Sequence, residues 1–376
     1  MIRLLHLADL HLGASFTAFG DLADTRRTAV LDAFRRLPEI TVAESVDAVL
    51  IAGDLFDSPQ PAPDVAAAAR DTLRRVGVTG VRVFVVPGNH DSITLRPNPY
   101  TDPLGDAHVF AAPCFEAPIS VDTANGTLHV YGIAYDRARE ADPLATFRRA
   151  GQPGVHVVLI HGSVPDAPHW IMSQSSLRLP MERLANLEAD YIALGDYHRF
   201  RPPREFDASG TSPACYSGSF AALDLTETGP RGYVVAEVRP DGSPRVRHCS
   251  SEVPPVEDLG EFDVSPYESE VDVADAVARR ASEGTIPVVC LTGTPGFPLD
   301  IDVVCTELQE RFQHAHVIDK SSYYASDSLE ELARQDTVVG HVVRIGRHRI
   351  EEAEDEAQWL AAEGALRVAL NALVVR

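Results

Sequence analysis

Short, nearly continuous apolar runs alternate with stretches of mixed polarity along the first half of the chain. "IRLLHLA" (2–8), "AVLIAG" (48–53), "VRVFVVPG" (81–88), "VHVVLIHG" (155–162) and "YIALG" (191–195) are strand-length and predict buried strands. Between the first three, residues 22–45 and 63–76 read as helices, the second opening with Pro and Asp as helix starts often do. Shorter β-like pieces near 118–133 predict a hairpin. "PACYSGSF" and "RGYVVAEVRPDGSPRVRHC" predict a meander with an Asp-Gly turn signal at 241–242. The pattern reads as an α/β sandwich, two sheets flanked by helices, over residues 1–250.

The pattern changes at "SEVPPVEDLGEFDVSPYESE" (251–270), which is acidic and carries three prolines, and a linker is expected there. Beyond it, a helix (272–283), a strand (286–292), a helix (301–312) and a strand (315–319) predict a small α/β unit over 271–325. Residues 326–376 read as a helical region ending in a long stretch at 350–373.

Composition narrows the setting. The chain has 376 residues, enough for two or three domains, and 45% hydrophobic content. No apolar run approaches the ~18 residues of a membrane span. The N-terminal "MIRLLHLADLHLG" has His and Asp inside its apolar stretch and does not resemble a signal peptide. Cysteines 114, 215, 249, 290 and 305 form no CxxC pair. They fit a reducing cytoplasm and argue against a thiolate zinc site. Net charge is −22, which lowers the expectation of a nucleic-acid partner without excluding it. Residues 251–376 hold 25 acidic and 10 basic residues, so the phosphate-binding face is not expected in that third.

The polar residues at the strand ends form one set. Strand one ends in Asp9 and His11, strand two in Asp54 with Asp57 behind it, and strand three in Asn89, His90 and Asp91. Strand four ends in His161, and strand five in Asp196 and His198. α/β sheets bind ligands at the carboxyl ends of their strands, so five loops are expected to meet on one rim. Asp, Asn and His are oxygen and nitrogen donors suited to Mn, Fe or Zn. Seven such residues suffice for two ions sharing a carboxylate. A pair ~3.5–4 Å apart acidifies a water and clamps the attacking and leaving oxygens of a phosphoryl displacement.

D-x-H, G-D-x-x-D, G-N-H-D, a strand-end His-Gly and a closing G-x-x-H resemble the metal motifs of the calcineurin-like metallophosphoesterases. "LLHLADLHLG", "GNHDS", "YGIAYD", "ADYIALGDYH" and "CYSGSF…LTETGPRGYVVAEV" are similar, in order and spacing, to the SbcD-type nucleases of DNA double-strand-break repair. The resemblance covers residues 1–240. It implies a two-sheet sandwich with a small capping domain and a C-terminal helix. It also implies 3′-to-5′ exonuclease activity on duplex ends, endonuclease activity on single strands, and two divalent ions, Mn2+ foremost with Mg2+, Fe2+ or Zn2+ as alternatives. A repair ATPase of the SMC type, a homodimer and a cytoplasmic setting are further implications.

Carried over by position, the resemblance implies that Asp9, His11 and His198 hold one ion, that Asn89, His161 and Asp196 hold the other, and that Asp54 bridges them. His90 would stand beside the scissile phosphate as the catalytic residue, with Asp91 orienting it. The family usually has His at position 196, so this loop departs from the pattern. An Asp can still give an oxygen to a hard ion, or the second ion is held weakly or through water.

Other residues carry two readings each. His6 and His156 read as core histidines. His169 and Trp170 fit loop packing or substrate stacking. Arg199, Arg201 and Arg204 form a solvated face or contact phosphate. Ser217-Gly218-Ser219 is a tight turn, or Ser217 binds backbone phosphate. On the last helix Trp359, Leu366, Leu370 and Leu373 share a face that packs on its own domain, on a sister subunit or on the ATPase. Two rival functions remain: a phosphodiesterase or phosphatase for small substrates, and a weakly catalytic scaffold for the ATPase.

Overall fold

The computed structural model describes all residues except 137–141, 166–175, 207–211, 240–241, 298, 323–325, 354 and 375–376. His169 and Trp170 lie outside the described residues. The chain forms two compact units, Met1–Val253 and Pro254–Arg376.

In the first unit the strands are β1 (Ile2–Leu7), β2 (Ala48–Ala52), β3 (Arg82–Val86), β4 (His108–Val109), β5 (Ile119–Thr123), β6 (Gly126–Gly132), β7 (Val155–His161), β8 (Tyr191–Gly195), β9 (Ala214–Tyr216), β10 (Gly232–Arg239) and β11 (Gly242–Ser250). They build a six-stranded sheet in the order β11-β10-β1-β2-β3-β4 and a five-stranded sheet in the order β5-β6-β7-β8-β9. The strands that carry the polar ends run parallel to one another within each sheet, β1, β2 and β3 in the first and β7 and β8 in the second, while β1 pairs antiparallel with β10 on its other side. Both faces of these strands are buried, because apolar residues fill both. Leu4, Leu50 and Phe84 meet Val157, Leu159 and Ala193 in one core cluster. The other face of the second sheet packs Tyr131, Ile160 and Ile192 against Phe147 and Leu184. Truncating one of these large residues to Ala should cost about 2–5 kcal/mol.

The helical stretch expected at 22–45 is broken. Ala23–Arg35 and Leu37–Ala43 are separate helices, because Pro38 has no N–H and starts a new helix where the first ends. Pro63–Val78 forms as expected and buries Val65, Ala69, Leu73 and Val76 on one face.

The linker expected at 251–270 is corrected. In the second unit Val256–Asp263 is a strand, β12, pairing in parallel with β13 (Ile286–Thr292), which pairs with β14 (His316–Asp319). The buried residues of β12 are Val256, Leu259 and Phe262. A register shift between Asp258 and Glu261 makes them recur every three positions, which hides the strand period of two. Glu270–Arg280 and Ile301–Gln309 cover this sheet, each capped by an aspartate or serine side chain. The C-terminal region is three helices, Ser326–Ala333, Val338–Glu351 and Glu356–Val374. Leu366 and Leu370 pack with Val343 inside this unit, whereas Trp359 is exposed. No helix among the described residues is long and apolar enough to cross a membrane.

Candidate metal centre

The loops leaving β1 and β2 stay hydrogen-bonded beyond the sheet. Asp9 N donates to Gly53 O (3.1 Å), His11 N to Asp54 O (3.0 Å) and Leu12 N to Leu55 O (2.9 Å). This pairing puts the side chains of Asp9, His11 and Asp54 together at the carboxyl end of the sheet. The second sheet joins at the same place. His161, the last residue of β7, places Nδ1 2.9 Å from Ala52 O, and Asp196 N donates to both oxygens of Asp9 at 3.0 and 3.1 Å.

Two glycines permit this approach. A Cβ on Gly53 would stand 2.2 Å from His161 Nδ1, and one on Gly195 would stand 2.0 Å from Ala52 O. Four neighbouring residues that are not glycine take left-handed backbone: Asp9 (φ 50°), His11 (45°), Asp54 (48°) and Asp196 (89°). Such conformations in Asp and His cluster at functional sites.

All seven residues expected as ligands are brought together. Asp9, His11 and His198 present donor atoms within 4.8 Å of one another, as do Asp9, Asp54 and His161. Asp54 Oδ2 lies 3.3 Å from His161 Nε2 and 3.7 Å from His11 Nε2, between the two groups. Around His161 Nε2 stand Asn89 Oδ1 at 2.9 Å and Asp196 Oδ1 at 3.6 Å. His11 Nε2 is buried and has no hydrogen-bond partner among the described residues. A buried, unpartnered imidazole nitrogen among carboxylates fits a metal ion, which would take its lone pair.

The electrostatics point the same way. Burial pushes the Asp9 carboxyl above its ordinary range despite the pull of His198 and His161. Burial also works against the charge of Asp54, but His161, His11 and His90 outweigh it and hold its carboxyl low. The His161 imidazole resists burial and is pushed well up by Asp54, Asp196 and Asp9. A pocket of buried carboxylates that draws positive charge onto its histidines suits a cation.

Four side chains support the ligands, and of these only Asp57 stood out in the sequence. Asp57 Oδ1 lies 3.0 Å from His11 Nδ1 and so directs His11 Nε2 into the centre. Glu227 Oε1 does the same for His198, 2.5 Å from its Nδ1. Burial disfavours both charges of this pair, but each stabilises the other: Glu227 is held at about 2 and His198 is raised to about 9. Ser163 and Ser176 donate their hydroxyls to the two oxygens of Asp196. Glu227 lies 29 residues beyond His198 in an ordinary polar loop, and only spatial proximity reveals it.

His90 sits at the edge of the centre, its side chain 44% exposed and its ring centroid 4.6 Å from that of His11. Its Nδ1 is 3.0 Å from Asp57 O. The expected role of Asp91 is corrected. Its carboxylate accepts from Phe56 N, Gly88 N and the Tyr100 hydroxyl, so it braces the two loops and not the His90 ring. Burial and the Asp54 charge raise it to about 6.

The substrate contacts expected of Arg201 and Ser217 are also corrected. Arg201 is buried, stacks 4.4 Å from the Phe206 ring and donates to Glu205 O. Ser217 is fully buried and donates to Gly218 O. Neither offers a donor to solvent. Arg199 and Arg204 are exposed, and Arg199 borders a cavity of about 250 Å3 shared with Tyr197, His198, Asp224, Thr226, Glu227 and Arg231. His6 is a core residue, held by the Tyr191 hydroxyl and Leu194 O.

The family model for calcineurin-like phosphoesterases matches residues 2–200. The chain belongs to that family. The matched region of this calcineurin-like phosphoesterase holds β1 to β8 and the strand-end loops, while β9, β10 and β11 lie beyond it. It is 25% identical over 246 residues to the uncharacterized metallophosphoesterase YhaO of Bacillus subtilis, covering 63% of this chain and 57% of that protein. It is 28% identical over 252 residues to the DNA double-strand break repair protein Mre11 of Methanosarcina mazei, covering 64% of this chain and 37% of that one. The same figure holds over 301 residues for Mre11 of Aeropyrum pernix, covering 73% and 64%. This phosphoesterase therefore spans less than two thirds of the length of these relatives.

Proposed function

We propose that this calcineurin-like phosphoesterase is a DNA nuclease of double-strand-break repair, a 3′-to-5′ exonuclease on duplex ends and an endonuclease on single strands. The observation that carries the reading is the half-exposed His90 ring beside buried His11, at the open edge of the ligand cluster. Similarity to proteins named for DNA double-strand break repair supports DNA as the substrate.

In this reading Asp9, His11 and His198 hold one divalent ion, Asn89, His161 and Asp196 hold a second, and Asp54 is shared. Mn2+ is the first choice of ion. When bound, two such ions supply an activated water and offset the charge of the phosphate. The chain's own groups do the rest. The Asp57 carbonyl can only accept, so His90 Nδ1 carries its hydrogen and Nε2 is the atom that exchanges a proton with the departing oxygen. Asp57 and Glu227 keep His11 and His198 aimed, and exposed Arg199 is available to a backbone phosphate.

Glu227→Gln is expected to weaken the ion on Asp9, His11 and His198 by about 10–100-fold while leaving the fold intact, because the imidazole loses its charged partner. Calorimetric titration with Mn2+ checks this, and an unchanged first affinity would remove Glu227 from the centre.

The reading extends to partners: a repair ATPase of the SMC type gripping the C-terminal helices, and a homodimer. The net charge of −22 favours a second reading, hydrolysis of small phosphodiesters or phosphomonoesters, since DNA is repelled by an acidic surface. One assay separates the two. Linear duplex, circular single strand and a chromogenic phosphodiester are incubated with Mn2+, Mg2+ or chelator. The nuclease reading expects Mn2+-dependent loss of both DNAs, abolished by chelator. Intact DNA alongside cleaved chromogen would transfer the assignment to small substrates, and no cleavage of any of the three would favour a scaffold.

A further inference from the structure

The two groups of donors are chemically unequal. Asp9, His11 and His198, with the shared Asp54 whose Oδ2 is 3.7 Å from His11 Nε2, bring two imidazoles and two carboxylates. Around His161 Nε2 there is a single imidazole with three oxygen donors: Asn89 Oδ1 at 2.9 Å, Asp54 Oδ2 at 3.3 Å and Asp196 Oδ1 at 3.6 Å. Imidazole suits Zn, Fe and Cu, whereas carboxylate and carbonyl oxygen suit Mg and Mn.

Asp196 is built into this second group. It is 6% exposed, its backbone is left-handed at φ 89°, and its N–H is spent on the Asp9 carboxylate. The Ser163 hydroxyl donates to Oδ2, and the Ser176 hydroxyl donates to Oδ1 at 3.1 Å. Both serines come from the segment that follows β7, the strand that carries His161. Two hydroxyl donors match a carboxylate, whose oxygens have about four lone-pair sites and so keep others for a cation.

We propose that the position formed by Asn89, His161, Asp54 and Asp196 discriminates in favour of a hard, oxygen-preferring dication, Mn2+ or Mg2+, over Zn2+. Asp196 is the specificity-determining residue, and Ser163 and Ser176 are its positioning residues. Zn2+ binds nitrogen and oxygen sites more tightly than Mn2+ in general, so the discrimination is a lowered ratio of Zn2+ to Mn2+ affinity at this position relative to the first. The inference rests on the two-ion reading of the centre.

The test is equilibrium dialysis of the purified full chain against Mn2+, Zn2+ and their mixtures, with bound metal counted by elemental analysis. The parent protein is expected to take two Mn2+ equivalents. Asp196→Ala should lose one of them. Asp196→His should keep two sites, with the ratio of Zn2+ to Mn2+ affinity at the weaker position raised by about tenfold or more. Ser163→Ala and Ser176→Ala should each weaken the second Mn2+ equivalent by about 10–100-fold and leave the first in place. Ser176→Thr, at a half-buried position, should restore it, which loss of fold would not allow. One equivalent in the parent would overturn the two-ion reading itself. Two equivalents in the parent, with an unchanged affinity ratio in Asp196→His or two full equivalents in Asp196→Ala, would overturn the inference and leave that reading standing.

Discussion

Asp54→Asn should abolish phosphodiester hydrolysis more completely than any other single change among the ligands. Its Oδ2 lies 3.3 Å from His161 Nε2 and 3.7 Å from His11 Nε2, so one carboxylate serves both groups of donors. Its Oδ1 accepts from His90 N at 2.9 Å, which ties the loop carrying His90 to the same side chain. Asparagine keeps the shape and loses the charge. Both ions then weaken together, and the loss of several kcal/mol of charge stabilisation corresponds to a fall on the order of 10⁴-fold or more. Hydrolysis of a chromogenic phosphodiester, with metal content measured on the same sample, is the check. Activity near that of the parent would end the assignment of Asp54 as the shared ligand.

His90→Ala should separate chemistry from metal binding. The ring touches Asp57 O through Nδ1 and packs edge-on against His11, but it lies at the 44% exposed edge and outside the two groups of donors around Asp54 Oδ2. Metal content should stay near that of the parent, while kcat falls on the order of 10²–10⁴-fold, the usual contribution of a positioned acid or base. Co-loss of metal and activity in His90→Ala would make His90 a ligand, a role open to it because His11, Asp57 and His90 also present donor atoms within 4.8 Å of one another.

What could be read from the chain was local. Each strand-end motif lies within a few residues of its strand, and the apolar runs gave the strands away because burial on both faces leaves no polar interruption. The candidate ligands could be picked out once the strands were ordered. Their supports did not. Glu227, Ser163 and Ser176 are common residue types in irregular segments, and what makes them matter is a side chain met across the fold. Arg201 shows the converse: a base among bases in the sequence, it turns inward because Phe206 offers it a ring and its backbone pairs with Tyr216. β12 was hidden by the irregular step between Asp258 and Glu261, which changes the spacing of its apolar residues.

The left-handed residues at the centre bear on how this protein could be altered. Asp9, His11, Asp54 and Asp196 each hold a conformation that costs a residue with a Cβ about 1 kcal/mol or more. Together they subtract several kcal/mol from a net stability that for most folds is only roughly 5–15 kcal/mol. Glycine at any of the four would relax the backbone and remove the donor in one step. Selection for heat resistance alone would therefore favour discarding the residues proposed to hold the metal, and an engineered thermostable form must be improved elsewhere, in its loops and second unit, with these positions left as they are.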